Sequence, residues 1–450
     1  MSATLDLARR VAATNYQDIP AEAREASKQA LLDYIGVTVA GAHEPLAGIL
    51  VDEAMEDGAS GTHSLIGRGE RLSAAQAALI NGAAGHAHDY DDVHSAMSGH
   101  PTVPVAPAVL ALAEQLRESG RATGARLLAA LSAGIDTECI LGRYAGPSHY
   151  AVGWHATGTL GSFGAAAASA SLRGLDDHTT ARALGIAGTQ AAGLKSQFGT
   201  MCKPLHAGHA AATGLTSASL ARRGFTSRED ILETEQGFMA VQSEAASGER
   251  FDVAMHQDAY AQDICFKYHA ACYLTHSSIE ATHNLCQTNA FDPNDVVDVE
   301  IQVDPGHFRV CNIQEPATGL EAKFSLRFTA AMAMAGLDTS SIDIFTDELT
   351  RDPTVVHLRD KIRITAHETR NPDSIVTLRT ANGAEYCDAV NVAIPMRDLD
   401  AQREKLTRKF HALVDPRLGA ERATAIADAC NALEETDDLD DFFALLRATV

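Results

Sequence analysis

At 450 residues, with 46% apolar and 21% charged side chains, the chain is long enough for one or two domains with a deep core. No apolar run approaches the roughly 20 residues that span a bilayer, so a soluble protein with no membrane partner is expected. A formal net charge of −23 argues against nucleic acid as a partner, because phosphate neutralisation needs a Lys/Arg-rich surface.

Residues Met1 to Asn15 lack the basic start, apolar middle and small-residue cleavage site of a secretory leader, which predicts a cytoplasmic location. The eight cysteines are scattered without a Cys-x-x-Cys pair, so neither a disulfide framework nor a thiolate metal cage is indicated. Lysine is scarce, and Lys203, Lys267 and Lys323 all fall inside motif-like stretches.

Pro20 opens a stretch with Leu31, Leu32 and Ile35 at helical spacing that stops near Gly41. Further Ala/Leu-rich helices are predicted over 72–84, 104–116, 126–144, 157–172, 178–192 and 209–223, separated by short Gly, Pro or Asp breaks. The segments 158–171 and 207–219 are so rich in Ala, Gly and Ser that their helices can pack with backbones close together.

Near Asp292 the period changes. Val297, Val299, Ile301 and Val303 alternate with polar residues as in a strand, and further strands are predicted over 361–366, 374–380 and 385–392. Asn382-Gly383 joins the last two as a hairpin, and 321–336 reads as a helix across the sheet. Helices return over 401–413, 419–433 and 440–446. The expected fold class is mainly α: a large all-α helical domain (1–265, completed by 397–450) with a smaller inserted α+β lid domain (266–396).

Four clusters carry candidate chemistry. The first, His86-Ala-His-Asp-Tyr-Asp-Asp-Val-His-Ser-Ala-Met-Ser-Gly-His-Pro101, puts four histidines and three aspartates on a loop after a helix. It matches no His-x-x-x-His or calcium-loop spacing, so a proton-transfer site, a metal site and a hydrogen-bonded turn all stay open. Asp89 and Asp92, three apart, could share a helical face.

The second cluster, Ser148 to Thr159, holds Tyr150, the sole tryptophan Trp154, and His155 just before a small-residue helix whose N-terminal dipole favours an anion. A core anchor with a capping histidine is the plainer alternative. In the third, Phe198 to His209, Lys203 precedes Pro204 and is expected to project from a bend. His206 and His209 are close in sequence, and partial burial beside other cations would turn Lys203 towards a general base. The fourth, Phe266 to His276, offers Lys267 as a carboxylate clamp where the pattern changes, with Cys272 and His276 either at a ligand or in helix packing.

Together, "NGAAGHAHDYDD…GHP", "GWHATGTLG", "FGTMCKPLHAGHAA", "KYHAACYLTH" and "EAKFS" resemble the MmgE/PrpD family over nearly the whole chain. That family includes 2-methylcitrate dehydratase, cis-aconitate decarboxylase and iminodisuccinate epimerase. The resemblance implies a homodimer acting on a small di- or tricarboxylate, with no metal and no cofactor. It places Asp89, His100, His155, Lys203 and, at the lid junction, Lys267 at active-site positions; His206, Cys272 and His276, from their clusters, are further candidate substrate contacts. Tyr150 and Lys203 look like the opposed acid and base of the epimerase. Cys272, Phe328 and Val93 stand where the decarboxylase branch carries a histidine, a tyrosine and a threonine. In this resemblance His86, His88 and His94 are structural. The implied enzyme is a hydro-lyase of 2-methylcitrate dehydratase type, with a polycarboxylate isomerase or epimerase next and a cis-aconitate decarboxylase last.

Overall fold

Ser2 caps the first helix, α1 (Ala3–Ala13), by accepting from the Leu5 N–H, and Leu7, Ala8 and Val11 form its buried stripe. The protein is described by a computed structural model covering residues 2–117, 120–244, 251–256 and 259–448. It is mainly α and divides into two units, one of residues 1–266 and 396–450, the other of residues 267–395.

In the first unit α1 is followed by α2 (Ala21–Gly41), α3 (Pro45–Glu56), a two-residue ribbon of β1 (His63–Ser64) and β2 (Arg71–Leu72), and α4 (Ala74–Gly85). Then come α5 (Thr102–Leu116), α6 (Gly124–Val152), α7 (Ala156–Arg173), α8 (Asp177–Gly188), α9 (Cys202–Arg222) and the short α10 (Phe238–Gln242). α7 is the central helix. Its side chains from Ala156 to Ala170 are all buried, and it packs on α5, α6, α8 and α9.

Small residues set these contacts. A Cβ at Gly82 of α4 would lie 2.8 Å from the Gly208 Cα of α9, and one at Gly208 would lie 2.0 Å from the Leu79 carbonyl oxygen. α4 and α9 therefore meet backbone to backbone, which brings the loop after α4 beside the start of α9.

The C-terminal segment returns to this unit as α16 (Leu399–Leu418), which packs on α2, followed by α17 (Ala420–Asn431) and α18 (Asp440–Leu446). Phe410 is 1% exposed against Gly36, a burial that stabilises by about 1.5–3 kcal/mol. Beside it, Lys409 Nζ lies 2.6 Å from Asp33 Oδ1, both side chains at most 3% exposed. Among the described residues no single helix is long and apolar enough to cross a membrane.

The second unit contains α11 (His276–Thr288), β3 (Val296–Val303), α12 (Pro305–Val310), α13 (Gly319–Ala322), α14 (Leu326–Met334), α15 (Pro353–Arg359), β4 (Ile362–Ala366), β5 (Ser374–Thr380) and β6 (Glu385–Val390). Its sheet runs β4-β3-β5-β6, with β3 and β4 parallel and the other pairs antiparallel. Val299, Ile301 and Val303 are buried as their alternation predicts, and Gly383, at φ +86°, makes the β5–β6 turn.

Several sequence expectations are corrected. A register shift between Val296 and Asp298 buries Val296 and turns Val297 outward, so Val297 is not on the buried face. The single helix expected over 321–336 is two, α13 and α14, separated at Lys323–Ser325, where Ser325 caps α14 through the Phe328 N–H. α6 runs past Tyr144 to Val152 across a break at Gly146, whose φ of 63° precedes Pro147. α9 starts at Cys202, not near His209, and α1 and α3 were not anticipated.

Candidate active site

Ser73 and Gln76 form a capping box that starts α4, and the helix ends at His86. The chain then turns through Asp89 at φ +52°, a conformation that costs a non-glycine residue and that Asp tolerates better than most. Asp89 and Asp92 thus share no helical face. The turn is held from below by Lys409, whose Nζ donates to the Tyr90 carbonyl at 2.8 Å and sits 4.0 Å from the Tyr90 ring centre. On its far side the His94 N–H donates to the Gly99 carbonyl at 2.9 Å, and Thr157 Oγ1 accepts from the His100 N–H at 3.1 Å.

These constraints gather a cluster of acids and bases. Lys203 Nζ donates to Asp89 Oδ1 at 2.7 Å, and His100 Nε2 lies 3.5 Å from the same oxygen. His100 Nδ1 is 3.0 Å from Asp91 Oδ2. His86 Nδ1 lies 2.9 Å from both oxygens of Asp91. The His86 ring meets His100 edge-on at 4.5 Å and stacks on His155 at 5.8 Å. His155 Nδ1 is 3.0 Å from His206 Nδ1, and Phe198 closes one side, 5.0 Å from the His155 ring and 5.3 Å from Lys203 Nζ.

Electrostatics differentiates these groups. Burial pushes the His155 pKa far below the ordinary imidazole value, helped by His86, Lys203, His100 and His206. Burial likewise lowers His86 to about 4, outweighing the opposing pull of Asp91. His206 is lowered by burial and by His209 and Lys203. These three rings are therefore neutral near pH 7 and act as acceptors or single donors, not as the cations a carboxylate pocket would first suggest. Burial alone would raise Asp91, but His100 and His86 outweigh it and hold the carboxyl well below its usual value.

Of the sequence candidates, Asp89, His100, His155, Lys203 and His206 come together in this unit. Lys203 sits in the first turn of α9, where Pro204 is tolerated, and not on a bend outside a helix. Its partner is a carboxylate, whereas the sequence reading placed it beside cations. His155 is the N-cap of α7 but makes no side-chain cap bond, so the capping alternative fails.

Tyr150 stands apart. It lies in the last turn of α6, with Lys195 Nζ 3.6 Å from its ring centre, and lines a cavity of about 230 Å³ with Arg143 and His149 that none of Asp89, His100, His155 or Lys203 lines. Lys267, Cys272 and His276 belong to the second unit. There Lys267 is 1% exposed, the half-buried Cys272 donates its N–H to the Lys323 carbonyl at 3.0 Å, and His276 Nε2 lies 3.1 Å from the Ala271 carbonyl oxygen.

Sequence reasoning assigned His86 to structure and gave Asp91 no role, yet both are in the cluster. Their spacing carries no standard motif; only the turn at Asp89 brings them face to face. His94 and His88 do serve structure, with their Nε2 atoms 3.1 Å from the Tyr260 carbonyl oxygen and 3.4 Å from that of Ala40.

Among the described residues, His86, Asp89, Asp91 and His100 have ligand-type atoms within 4.8 Å of one another. Lys203 is already the cation at Asp89. At ~4 Å it would repel a further positive charge by about 4 kcal/mol per unit charge at a surface-like dielectric. Asp91 is engaged with two imidazoles, so the set suits proton handling better than metal binding.

The chain matches the MmgE/PrpD N-terminal domain over residues 5–250 and the MmgE/PrpD C-terminal domain over residues 269–435. It is 26% identical to a cis-aconitate decarboxylase of Aspergillus terreus, across 96% of this chain and 93% of that protein. It is 28% identical to the Homo sapiens cis-aconitate decarboxylase, across 84% and 80%. A cis-aconitate decarboxylase-like protein of Aspergillus oryzae is 32% identical across 63% and 61%. Two family domains in order, over a chain that carries the family's sequence motifs from end to end, establish that this protein belongs to the MmgE/PrpD family of enzymes.

Proposed function

We propose that the protein is a metal-independent hydro-lyase that dehydrates a hydroxylated di- or tricarboxylate, with 2-methylcitrate the nearest named substrate. The observation that carries this reading is the pairing of one ion-paired lysine with a group of buried imidazoles kept neutral. A proton on carbon next to a carboxylate is weakly acidic. Its removal needs an acceptor within hydrogen-bond reach and positive charge where the enediolate forms.

In this reading His100, the most exposed imidazole of the central three at 9%, takes the proton at Nε2. The Lys203 ammonium, oriented by Asp89, faces the developing negative charge. The carbon's electron pair then forms the double bond as the hydroxyl leaves, taking back the proton that His100 Nε2 has just accepted to depart as water, with neutral His155 and His206 placed to hydrogen-bond the leaving oxygen. Lys267, Cys272 and His276 are proposed substrate contacts from their sequence cluster, Lys267 also from the family resemblance, on which the homodimer rests alone.

A second reading, decarboxylation of cis-aconitate, is favoured by the relatives, several of which carry that name. Against it, Cys272 and Phe328 replace a histidine and a tyrosine of that branch, and Phe328 is fully buried. Epimerisation needs Tyr150 opposite Lys203, and Tyr150 is engaged with Lys195. Incubation with 2-methylcitrate, citrate and cis-aconitate separates the three. Rising alkene absorbance without gas supports dehydration, CO2 release from cis-aconitate transfers the assignment to decarboxylation, and deuterium uptake into a polycarboxylate without either indicates epimerisation.

A further inference from the structure

We propose that Asp91 is a positioning residue of the reaction centre: one buried carboxylate that fixes His86 and His100 together, each through its Nδ1, so that both rings turn Nε2 away from it. The inference rests on the proposed proton-transfer role of His100 and adds what sets that ring's tautomer.

His86 Nδ1 meets the Asp91 carboxylate with hydrogen-bond geometry, and His100 Nδ1 approaches the same carboxylate as a close ion-pair contact, off the hydrogen-bond direction. Asp91 is 2% exposed, with His86 Nδ1 at 2.9 Å from both its oxygens and His100 Nδ1 at 3.0 Å from Oδ2. An ionised carboxylate accepts and cannot donate, so each Nδ1 facing it carries hydrogen. A neutral imidazole has one N–H. For His86, which burial keeps neutral, Nε2 must then be a lone pair, and that atom is buried with no hydrogen-bond partner among the described residues. On His100 the same arrangement leaves Nε2 towards Asp89 Oδ1, 3.5 Å away, the side on which Lys203 lies.

Asp91 is itself locked by its neighbours in the chain. Lys409 holds the Tyr90 carbonyl just before it, and the adjacent Asp92 is bonded by the Thr102 hydroxyl and N–H just after it. These bonds hold the backbone on both sides of Asp91, so the carboxylate springs from a fixed point between the two rings, which is the support a fixed geometry needs.

An asparagine at this position makes the claim testable. Its amide has one carbonyl acceptor and one NH2 donor, so it can satisfy the Nδ1–H of one ring but must donate to Nδ1 of the other. That second ring is driven into the Nε2–H form and loses its acceptor.

The experiment is nitrogen-15 NMR of the full chain labelled at histidine, with His86 and His100 identified by His86→Gln and His100→Gln, on the wild type and Asp91→Asn. The expected result is Nδ1–H on both rings in the wild type and Nε2–H on one of them in the variant. With folding confirmed by circular dichroism, kcat should fall about 10²–10⁴-fold and KM should change little. A wild type in which either ring carries its hydrogen on Nε2 and none on Nδ1 overturns the proposal, even if the variant does not fold. So does a folded Asp91→Asn that switches tautomer at unchanged kcat, or one that keeps both rings Nδ1–H. The tautomers are read without substrate, so their outcome is independent of whether the substrate is a polycarboxylate.

Discussion

Lys203 Nζ lies 2.7 Å from Asp89 Oδ1, joining the first turn of α9 to a residue held at φ +52° in the loop after α4. The ammonium thereby has a fixed place in the cluster despite its long side chain. Removing it leaves both Asp89 and the developing enediolate without a counter-charge. Lys203→Ala should fold and lose about 10²–10³-fold in kcat, the usual scale for removing one group that stabilises a developing oxyanion. Steady-state kinetics checks this, and full turnover in a folded Lys203→Ala would remove the lysine from the mechanism.

The same ion pair makes a prediction about metals. Because Lys203 occupies the cationic position at Asp89 and Asp91 serves two imidazoles, the cluster should not need a divalent ion. Dialysis against a chelator is expected to leave turnover unchanged, with metal well below one equivalent by elemental analysis. Loss of activity restored by one specific ion would contradict this.

Lys409 and Asp33 form a buried pair 2.6 Å apart beneath the loop after α4, between α16 and α2. Cutting one partner strands the other charge away from water. Lys409→Met should lower unfolding stability by about 3–5 kcal/mol, measured by denaturant titration. Because Lys409 also holds the Tyr90 carbonyl, activity at temperatures where the variant is folded should fall too. A stable variant with normal turnover would show that the loop does not depend on this anchor.

Asp92 supplies a pH dependence with a defined sign. Burial, with Asp33 and Asp91 nearby, raises its pKa from 3.8 to about 8 against the opposing Thr102 hydrogen bonds. Between those values the folded state holds a proton that the unfolded state has released, so its contribution falls as pH rises through that window and is flat above it. Melting temperatures from pH 5 to 9 should show Asp92→Asn gaining on the wild type until about pH 8. Parallel curves would mean that Asp92 is ionised throughout.

The regular parts of this fold were legible because each rests on a local pattern. The Ala/Gly/Ser run of 158–171 gave the central helix α7, and Asn382-Gly383 gave the β5–β6 hairpin. The misses have two causes, a local rule applied at the wrong helix position and a backbone irregularity that overrode the local signal. Pro204 was read as a helix breaker although the first turn of a helix accepts proline. The bulge at Val297 reversed the facing of one apolar residue, which no alternation rule anticipates.

At the site, the residue types pointed to proton chemistry, but the partnerships did not follow from them. His86 and Asp91 are five apart in a loop without periodicity, and the turn at Asp89 decides that they face each other. The neutrality of His155 comes from burial against α7 and α9, a property of packing rather than of sequence spacing.

The most direct test of the central claim is proton nuclear magnetic resonance of polycarboxylate substrates in heavy water, comparing the wild type with Lys203→Ala. The account predicts that the wild type consumes the hydrogen on carbon next to a carboxylate in 2-methylcitrate or a close analogue, with the alkene appearing in step, while the folded variant leaves that signal essentially intact. Loss of the hydrogen at the same rate in both proteins, or no reaction by the wild type with any hydroxylated di- or tricarboxylate, would contradict it.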